Sequence, residues 1–318
     1  MRIKHGIIIY MGITITFLMI TTGIVSASEI HVYPGDSIQD AINNANSSDT
    51  IIVYPSVYKE NIVINKSLTI KSKSGNPEYT VVKAANPHDH VVHIIADDVV
   101  INGFTFKGAL WKWHFVSGIH LNSVHNVTIS NNIASNNEFG IELSKSSNNK
   151  IFNNIVESNE KDGILILESD DNGLIDNAVN LNGRGGIFVL YHSDNNKLIN
   201  NSANFNEEFG ISLSGSGNIL KNNSMSSNRY NFKVSLEDTA NDIDKSNYVE
   251  NKRIYYLVDA SNITIDSSSK AGVIYCINCQ NVTVKDLNVR NNHIGVHFYN
   301  TTNSYLYNST ASNNLYGI

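Results

Sequence analysis

A glycine followed by an apolar-x-apolar triplet recurs along the chain, and this repeat limits the available folds more than any other feature. In the centre of the chain the glycines stand 22 to 24 residues apart, at Gly118, Gly140, Gly163, Gly186 and Gly210. The signal returns at Gly272, Gly295 and Gly317. Apolar residues alternate with period two after each glycine, as in Ile141 and Leu143, which predicts a short strand with one buried face.

Each repeat carries a second apolar signal about eleven residues after the glycine, and no part of it has helical periodicity. A strand of about five residues cannot bury its face alone, so the units must stack to form a continuous core. Helical solenoids lack the observed period of two, and the LxxLxL pattern of leucine-rich repeats is missing. The sequence therefore predicts an all-β fold, a single-stranded right-handed parallel β-helix with about 22–24 residues per coil.

Asparagine marks the corners of these coils and makes up about one residue in seven. A pair of Asn residues follows the second apolar signal in most repeats. At a corner the backbone turns sharply, often through a positive φ, which Asn tolerates better than any residue except Gly. In stacked coils the amides of one corner can hydrogen bond along the stack. We expect such a structural ladder at Asn132, Asn154, Asn177, Asn201 and Asn223.

The N-terminus has the layout of a secretory signal peptide over residues 1–27. Arg2 and Lys4 precede an apolar run from Gly6 to Val25, and a small-x-small triplet ends at Ala27. The alternative is an uncleaved membrane anchor, because the run is long enough to span a bilayer. Both interpretations place residues 28–318 outside the cytoplasm, as an extracellular or cell-surface domain.

Nine asparagines stand in N-x-S/T sequons, which agrees with export and with a glycoprotein. They are Asn46, Asn65, Asn126, Asn200, Asn222, Asn262, Asn281, Asn300 and Asn308. A chain this rich in Asn, Ser and Thr also produces such triplets by chance, so the sequons alone decide nothing.

The β-helix domain divides into sections of different regularity. Ser37 to Ala45 has an N-cap and an apolar face that predict a short capping helix. We expect irregular early coils over 51–117, regular coils over 118–230, an insertion over 235–253 and resumed coils over 254–318. The chain stops where a further strand should begin, so its open coil is expected to meet a packing partner or a continuation of the chain.

Charge and cysteine usage narrow the function classes. Charged residues make up 16% and the net charge is -6, with no basic stripe, so nucleic acid is excluded as a partner. Cys276 and Cys279 form a lone CxxC outside any βαβ context. Two buried free side chains and a local disulfide both remain open at this point.

Aromatic residues provide the candidate carbohydrate contacts. The irregular segment KGALWKWHFVS at 107–117 carries Trp111 and Trp113, with Phe115 nearby, and rings of this kind can stack on a sugar. Phe188, Tyr191 and His192 could extend that surface. The alternative is that the tryptophans cover an apolar edge of the stack. The outward positions after successive glycines, His120, Glu142 and Leu165 among them, contain no stacked acidic pair, so no catalytic residue is assigned.

The segment PHDHVVH suggests a weak copper site, because imidazole is a good copper ligand. On an extended strand His90 and His93 would point to opposite faces, which leaves His88 and His90 as the candidate pair. Calcium would need acidic residues clustered on adjacent coils. No confident cofactor follows from these residues.

The residues resemble a known family. Segments 34–72 and 251–268, together with the GIxL and NN repeats, are similar to archaeal exported β-helix proteins of the NosD and carbohydrate-binding and sugar-hydrolase (CASH) type, in the pectin-lyase-like superfamily. The resemblance implies this fold but leaves the function open, since the superfamily includes both enzymes and adhesins. We therefore expect a noncatalytic surface protein with a structural, adhesive or carbohydrate-contacting role, whose partner is a glycan or a cell-envelope component. The alternatives are a polysaccharide lyase, hydrolase or epimerase, and a copper-associated accessory protein.

Overall fold

The computed structural model describes residues 27–111, 115–235 and 240–318. The predicted signal peptide, apart from Ala27, and Trp113 therefore lie outside the described residues. The first strands are β1 Glu29–Val32, β2 Thr50–Val53, β3 Ser56–Lys59, β4 Ile62–Ile64, β5 Thr69–Ser72, β6 Thr80–Lys83, β7 Val92–Ile94, β8 Val100–Asn102 and β9 Thr105–Lys107. The central strands are β10 Ser117–Asn122, β11 Thr128–Ser130, β12 Ile133–Ser135, β13 Phe139–Ser144, β14 Lys150–Phe152, β15 Ile155–Glu157, β16 Ile164–Leu167, β17 Gly173–Ile175, β18 Ala178–Asn180, β19 Gly185–Leu190, β20 Lys197–Ile199, β21 Ser202–Asn204, β22 Phe209–Leu213, β23 Ile219–Lys221, β24 Ser224–Ser226 and β25 Tyr230–Val234. The last strands are β26 Asp242–Ile243, β27 Tyr248–Val249, β28 Lys252–Val258, β29 Ser261–Ile265, β30 Ala271–Ile277, β31 Gln280–Lys285, β32 Asn288–Arg290, β33 Val296–Tyr299, β34 Tyr305–Tyr307 and β35 Thr310–Ser312. Helix α1 covers Ile38–Asn44, and single 3₁₀ turns cover Pro77–Tyr79 and Ser267–Ser269.

The strands stack into a right-handed parallel β-solenoid of about 13 turns, which confirms the predicted fold class. Each regular coil gives one strand to each of three long sheets. The eight-stranded sheet has the order β25-β22-β19-β16-β13-β10-β7-β4, the ten-stranded sheet runs from β1 to β26, and the twelve-stranded sheet runs from β3 to β33. Strands one coil apart pair in parallel, so that Ile119 lies beside Ile141 and Ile141 beside Ile164.

The interior of the solenoid is filled by the apolar residues that follow the repeated glycines. Ile119, Ile141, Ile164, Ile187 and Ile211 are fully buried. Burying each such side chain contributes about 1.5–3 kcal/mol before the entropy of ordering it is counted. The interior is thus built one layer per coil.

The repeated glycine is required by close approach rather than by a positive φ. A Cβ atom on Gly140 would lie 2.2 Å from Cγ1 of Val156 and 2.5 Å from the carbonyl oxygen of Gly163. Gly140 therefore faces the interior, as does Ile141, and Phe139 before it faces outward. This break in alternation decides which residues reach the outer face.

The ladder asparagines are buried and joined along the stack. The Nδ2 atom of Asn132 donates to Oδ1 of Asn154 at 3.2 Å, and Asn154 donates in the same way to Asn177 at 3.1 Å. The same bond continues through the remaining residues of the set, from Asn177 to Asn201 to Asn223. The first residue of each pair makes the turn, with a φ of 55° at Asn131 and 53° at Asn153.

Two further ladders run along the other corners. One joins the asparagines that precede the glycines, from Asn137 through Asn159, Asn182 and Asn206 to Asn228. The other passes from Asn149 to Asn172, Asn196 and Asn218, with backbone amides donating to the side-chain oxygens of the next coil. Each corner of the regular coils is therefore held by buried amides.

Helix α1 covers the first core layer. The Ser37 hydroxyl accepts from the Asp40 amide at 3.1 Å, and Ile38, Ala41 and Ile42 are buried. The Glu60 carboxylate also accepts from the Ile38 amide at 2.9 Å. Within the described ranges, no helix has both the length and the apolar character to cross a membrane.

The regular stack continues further than the sequence predicted before it is interrupted. β26 pairs with β23 and β27 with β24, so part of the predicted insertion at 235–253 belongs to the coils. The interruption is the antiparallel pairing of β27 with β28, after which β28 pairs in parallel with β30. Cys276 and Cys279 in this later section are buried free thiols, so the alternative of a disulfide is not realised.

Candidate functional site

The outer face of the eight-stranded sheet carries a continuous row of side chains, one from each strand. After one apolar residue the row is polar, then apolar in its middle, and polar again at its C-terminal end. In register it comprises Val63, His93, His120, Glu142, Leu165, Phe188, Ser212 and Lys233. Beside this row lie further outward residues, Phe139 and Asp162. Each directly precedes a repeat glycine, where the alternation of the strand is broken.

Three histidines form a cluster near the N-terminal end of this row. The ring centroids of His90 and His120 are 4.1 Å apart, those of His93 and His120 are 5.0 Å apart, and those of His90 and His93 are 5.2 Å apart. The prediction that His90 and His93 point to opposite faces is wrong. Strand β7 begins only at Val92, so strand alternation does not extend back to His90.

The predicted pair of His88 with His90 is not what the structure brings together. His88 is exposed and stacks instead on Trp111, with ring centroids 4.9 Å apart. His120 was noted in the sequence only as an outward residue. Its registration with His93 could not have been found by counting one repeat back from Gly118, because the two histidines are 27 residues apart and the regular repeat is 22 to 24.

The imidazole cluster is neutral at physiological pH. Burial, reinforced by the charges of His90 and His93, lowers the pKa of His120 to about 2. Burial also lowers the pKa of His90 to about 4 and lowers that of His93. The Ser117 amide donates to Nδ1 of His90 at 3.0 Å, while His93 Nε2 and His120 Nδ1 are buried without a hydrogen-bond partner.

Glu142 sits beside this cluster in a mostly buried position. The Ser117 hydroxyl donates to its Oε2 atom at 2.6 Å, and its Oε1 atom is 4.0 Å from Nε2 of His120. Burial raises the pKa of Glu142, and the carboxylates of Glu138 and Asp162 add to the rise, while the Ser117 hydrogen bond opposes it. The neutral form of this carboxyl is therefore more favoured than that of a carboxyl in water.

Two fully buried carboxylates on the same face are held by cations from the next coil. Glu138 lies 2.6 Å from Nζ of Lys161, and Asp162 forms an ion pair and hydrogen bonds with Arg184. Sequence reasoning missed Glu138 and Asp162 because it assumed strict alternation through the glycines. The available signal was a charged residue just before successive repeat glycines, in EFG at 138–140 and KDG at 161–163.

An aromatic cluster continues the outer face beyond the carboxylates. It is separate from the interior core and consists of Phe139, Leu165, Phe188, Phe209 and Tyr230. Phe115 is 63% exposed and stacks on Phe139 at 5.5 Å. Lys161 lies over both rings, 5.4 Å from the centroid of Phe115 and 5.1 Å from that of Phe139.

The predicted carbohydrate-contacting residues are dispersed. Phe188 is buried under the guanidinium of Arg184, 4.9 Å from the ring centroid. Tyr191 and His192 are exposed, each with a φ of 52°, in the turn after β19. Trp111 packs against the interior core. Phe115, noted in the sequence only as a neighbour of the tryptophans, is the exposed ring on this face.

The stacked histidines do not fit a bound copper ion in this arrangement. An imidazole donates its lone pair in the plane of its ring, so rings stacked as His120 is on His90 and on His93 do not direct their lone pairs at one point. Across the described part of the chain, no set of three or more His, Cys, Asp or Glu residues is arranged to hold a metal ion. No role is therefore derived through copper.

The solenoid defines the class of protein, a right-handed parallel β-helix. The family described as "Periplasmic copper-binding protein (NosD)" matches residues 42–255, more than half of the chain. The chain belongs to this family.

A cell surface glycoprotein of Methanothermus fervidus is 36% identical over 101 residues, which are 31% of this chain and 15% of that protein. The chain thus matches only a small part of that relative.

Solved structures share the fold at low sequence identity. The catalytic domain of a GH87 alpha-1,3-glucanase gives a TM-score of 0.61 at 16% identity, covering 89% of this chain and 58% of that one. The family 28 exopolygalacturonase of Yersinia enterocolitica gives 0.57 at 11% identity, covering 89% of this chain and 77% of that one. At such identities the likeness concerns the fold alone.

Proposed function

We propose that this protein is an exported, surface-associated β-helix that contacts a glycan through the outer face of its eight-stranded sheet. The carrying observation is Phe115, whose exposed ring stands beside Lys161 and above the buried Phe139. The location agrees with the periplasmic description of the family and with the cell-surface name of the Methanothermus relative.

The chemistry of this face suits a carbohydrate. A sugar presents C–H groups that pack on an aromatic ring and hydroxyls that hydrogen bond to charged groups at its edge. Phe115 supplies the ring, and Lys161 supplies a cation already fixed by Glu138. Because Phe139 supports the ring from below, Phe115 has less conformational freedom to lose on binding.

Calorimetric titration with a panel of uronate polymers and neutral glucans tests this proposal. We expect at least one polymer to bind, and Phe115→Ala to weaken that binding by tenfold or more, equivalent to about 1.4 kcal/mol. Tyr79→Ala is the matched control, because Tyr79 is 60% exposed but lies in the turn before β6, between the other two sheets. Absence of binding to every polymer, or equal binding by Phe115→Ala, would reject the proposal.

A carbohydrate-active enzyme is the second candidate, and Glu142 favours it. A carboxyl whose pKa is raised by burial can act as a general acid, which glycoside hydrolysis requires. Incubation with the same polymers distinguishes the two candidates. Shortened or unsaturated products that disappear in Glu142→Gln would support the enzyme, whereas binding without any product would support the noncatalytic role.

A further inference from the structure

The nine sequon asparagines differ from the other asparagines in where they lie. All nine are exposed. None of the buried ladder asparagines stands in a sequon, although they are numerous and several have Ser close by. The coil itself accounts for this separation, because the residue two places after a ladder asparagine, such as Val156 after Asn154, belongs to the apolar core. The exposed corner asparagines Asn200 and Asn222 are instead followed at that distance by Ser202 and Ser224.

Seven of the nine also occupy the left-handed region of the backbone, with φ between 46° and 59°. They are Asn126, Asn200, Asn222, Asn262, Asn281, Asn300 and Asn308. In the regular coils this conformation marks the corners, where the chain turns between sheets and the side chain is directed to solvent. Such positions give a modifying enzyme access to the side-chain amide.

The sequons are also distributed unevenly around the solenoid. Asn126 lies between β10 and β11, where the chain leaves the eight-stranded sheet, and Asn200 and Asn222 lie at the corner between the ten-stranded and twelve-stranded sheets. From β13 to β25 the strands of the eight-stranded sheet contain no sequon, and neither do the segments that lead into them. The outer face from Glu142 to Lys233 is thus free of them, whereas Asn65 directly follows β4 at the far end of the same sheet.

We propose that these nine asparagines are N-glycan attachment sites and that their glycans form a coat that leaves the outer face of the eight-stranded sheet bare from β13 to β25. The donor is a polyprenyl-phosphate-linked oligosaccharide. The Nδ2 atom of asparagine bonds to C1 of the sugar while the bond between C1 and the phosphate oxygen breaks. The lipid phosphate leaves, and a base of the transferring enzyme takes one proton from Nδ2.

Glycopeptide mass spectrometry of the full chain, purified from the envelope of its source organism, tests this inference. We expect sugar on the sequon asparagines, with Asn126 and either Asn200 or Asn222 included. The buried asparagines, such as Asn154 and Asn177, provide the internal control and should be unmodified. Nine unmodified sequons, or sugar on an asparagine of the eight-stranded sheet, would overturn the inference.

A designed sequon tests whether this face carries no glycan simply because it has no sequon. Ser214→Asn creates the triplet N-G-S directly after β22, at the edge of the eight-stranded sheet. We expect the new asparagine to be modified. If it stays unmodified while the native sites carry sugar, the absence of sequons is not what keeps this face bare, and that part of the inference fails.

The glycan coat and the glycan-contacting face are tested by separate experiments, and either proposal can fail without the other. If mapping finds no sugar at the nine sites but polymer binding still depends on Phe115, the coat is rejected and the proposed function stands. If the sites carry sugar but no polymer binds, the coat stands and the proposed function is rejected.

Discussion

The hydroxyl of Ser117 donates a 2.6 Å hydrogen bond to the carboxylate of Glu142 on the neighbouring strand. This bond opposes the effect of burial, because it favours the charged form of the carboxyl. Two residues one coil apart therefore influence the protonation of a mostly buried carboxyl on the outer face.

Removing that hydroxyl should raise the pKa of Glu142 further. In Ser117→Ala the carboxylate loses a 2.6 Å hydrogen-bond donor, while the desolvation by its surroundings remains. Carboxyl ¹³C shifts followed against pH would measure the change. Ser123→Ala, at an exposed corner, is the control and should not change the pKa of Glu142. A lower pKa in Ser117→Ala would contradict the assignment.

Stability should fall as the pH is lowered from about 6.5 toward 4, and His120 should account for part of that fall. Its lowered pKa means that the unfolded chain binds a proton in this range while the folded chain does not. One such group changes the free energy of unfolding by at most about 1.4 kcal/mol per pH unit. Glu142 acts in the opposite direction, since its raised pKa lets the folded state take up a proton first.

Chemical denaturation at several pH values would measure this dependence. We expect His120→Gln to lose less stability on acidification than the unaltered protein. His125→Gln, at an exposed position outside the cluster, should keep the original slope. Identical slopes for all three proteins would show that the histidine cluster is not the source.

Breaking one ladder should destabilise the solenoid strongly. Asn154 accepts from the Asn132 amide and donates to the Ile129 carbonyl and to Asn177, all while buried. Asn154→Leu leaves buried partners unsatisfied, at a cost of about 1–3 kcal/mol each. Thermal melting should show a clear loss, whereas Asn153→Gly at the neighbouring exposed corner, with φ of 53°, should melt nearly unchanged. Equal melting of both variants would refute the ladder.

The repeated glycine offers a matched test within one chain. Gly140→Ala would place its Cβ atom 2.2 Å from Val156, whereas Gly173→Ala meets nothing closer than 3.8 Å. We expect Gly140→Ala to cost several kcal/mol of unfolding free energy, because overpacking here meets backbone as well as side chain. Gly173→Ala should be nearly neutral in the same denaturation experiment. The reverse order would contradict the inward orientation of Gly140.

The architecture could be predicted from the sequence because the same pattern of residues recurs in every coil and indicates which positions are buried and which turn. Ile141 marks the interior, Asn154 the ladder and Ser37 the helix cap, and each follows from local chemistry that recurs or has a known cap pattern. The ladder through Asn149 was missed, since it lies just before the second apolar signal, and only the amides after that signal drew attention.

The outer face could not be predicted in the same way. Its composition depends on the inward-facing glycines Gly140 and Gly163, which place Phe139 and Asp162 outside. It also depends on the late start of β7, which brings His90 to His93. Both are departures from regular alternation, and a pattern that assumes alternation cannot detect them. Side chains that cover one another, such as Arg184 over Phe188, also depend on rotamers that spacing does not encode.

The asparagine ladders all run in one sense, since in each of them the backbone amide of one asparagine donates to the side-chain oxygen of the asparagine in the following coil. Every rung thus presents the same donor edge and the same acceptor edge as its neighbours. Gene duplication or loss of one whole unit would rejoin edges that already match, so this architecture can change its length in evolution without inventing a new junction.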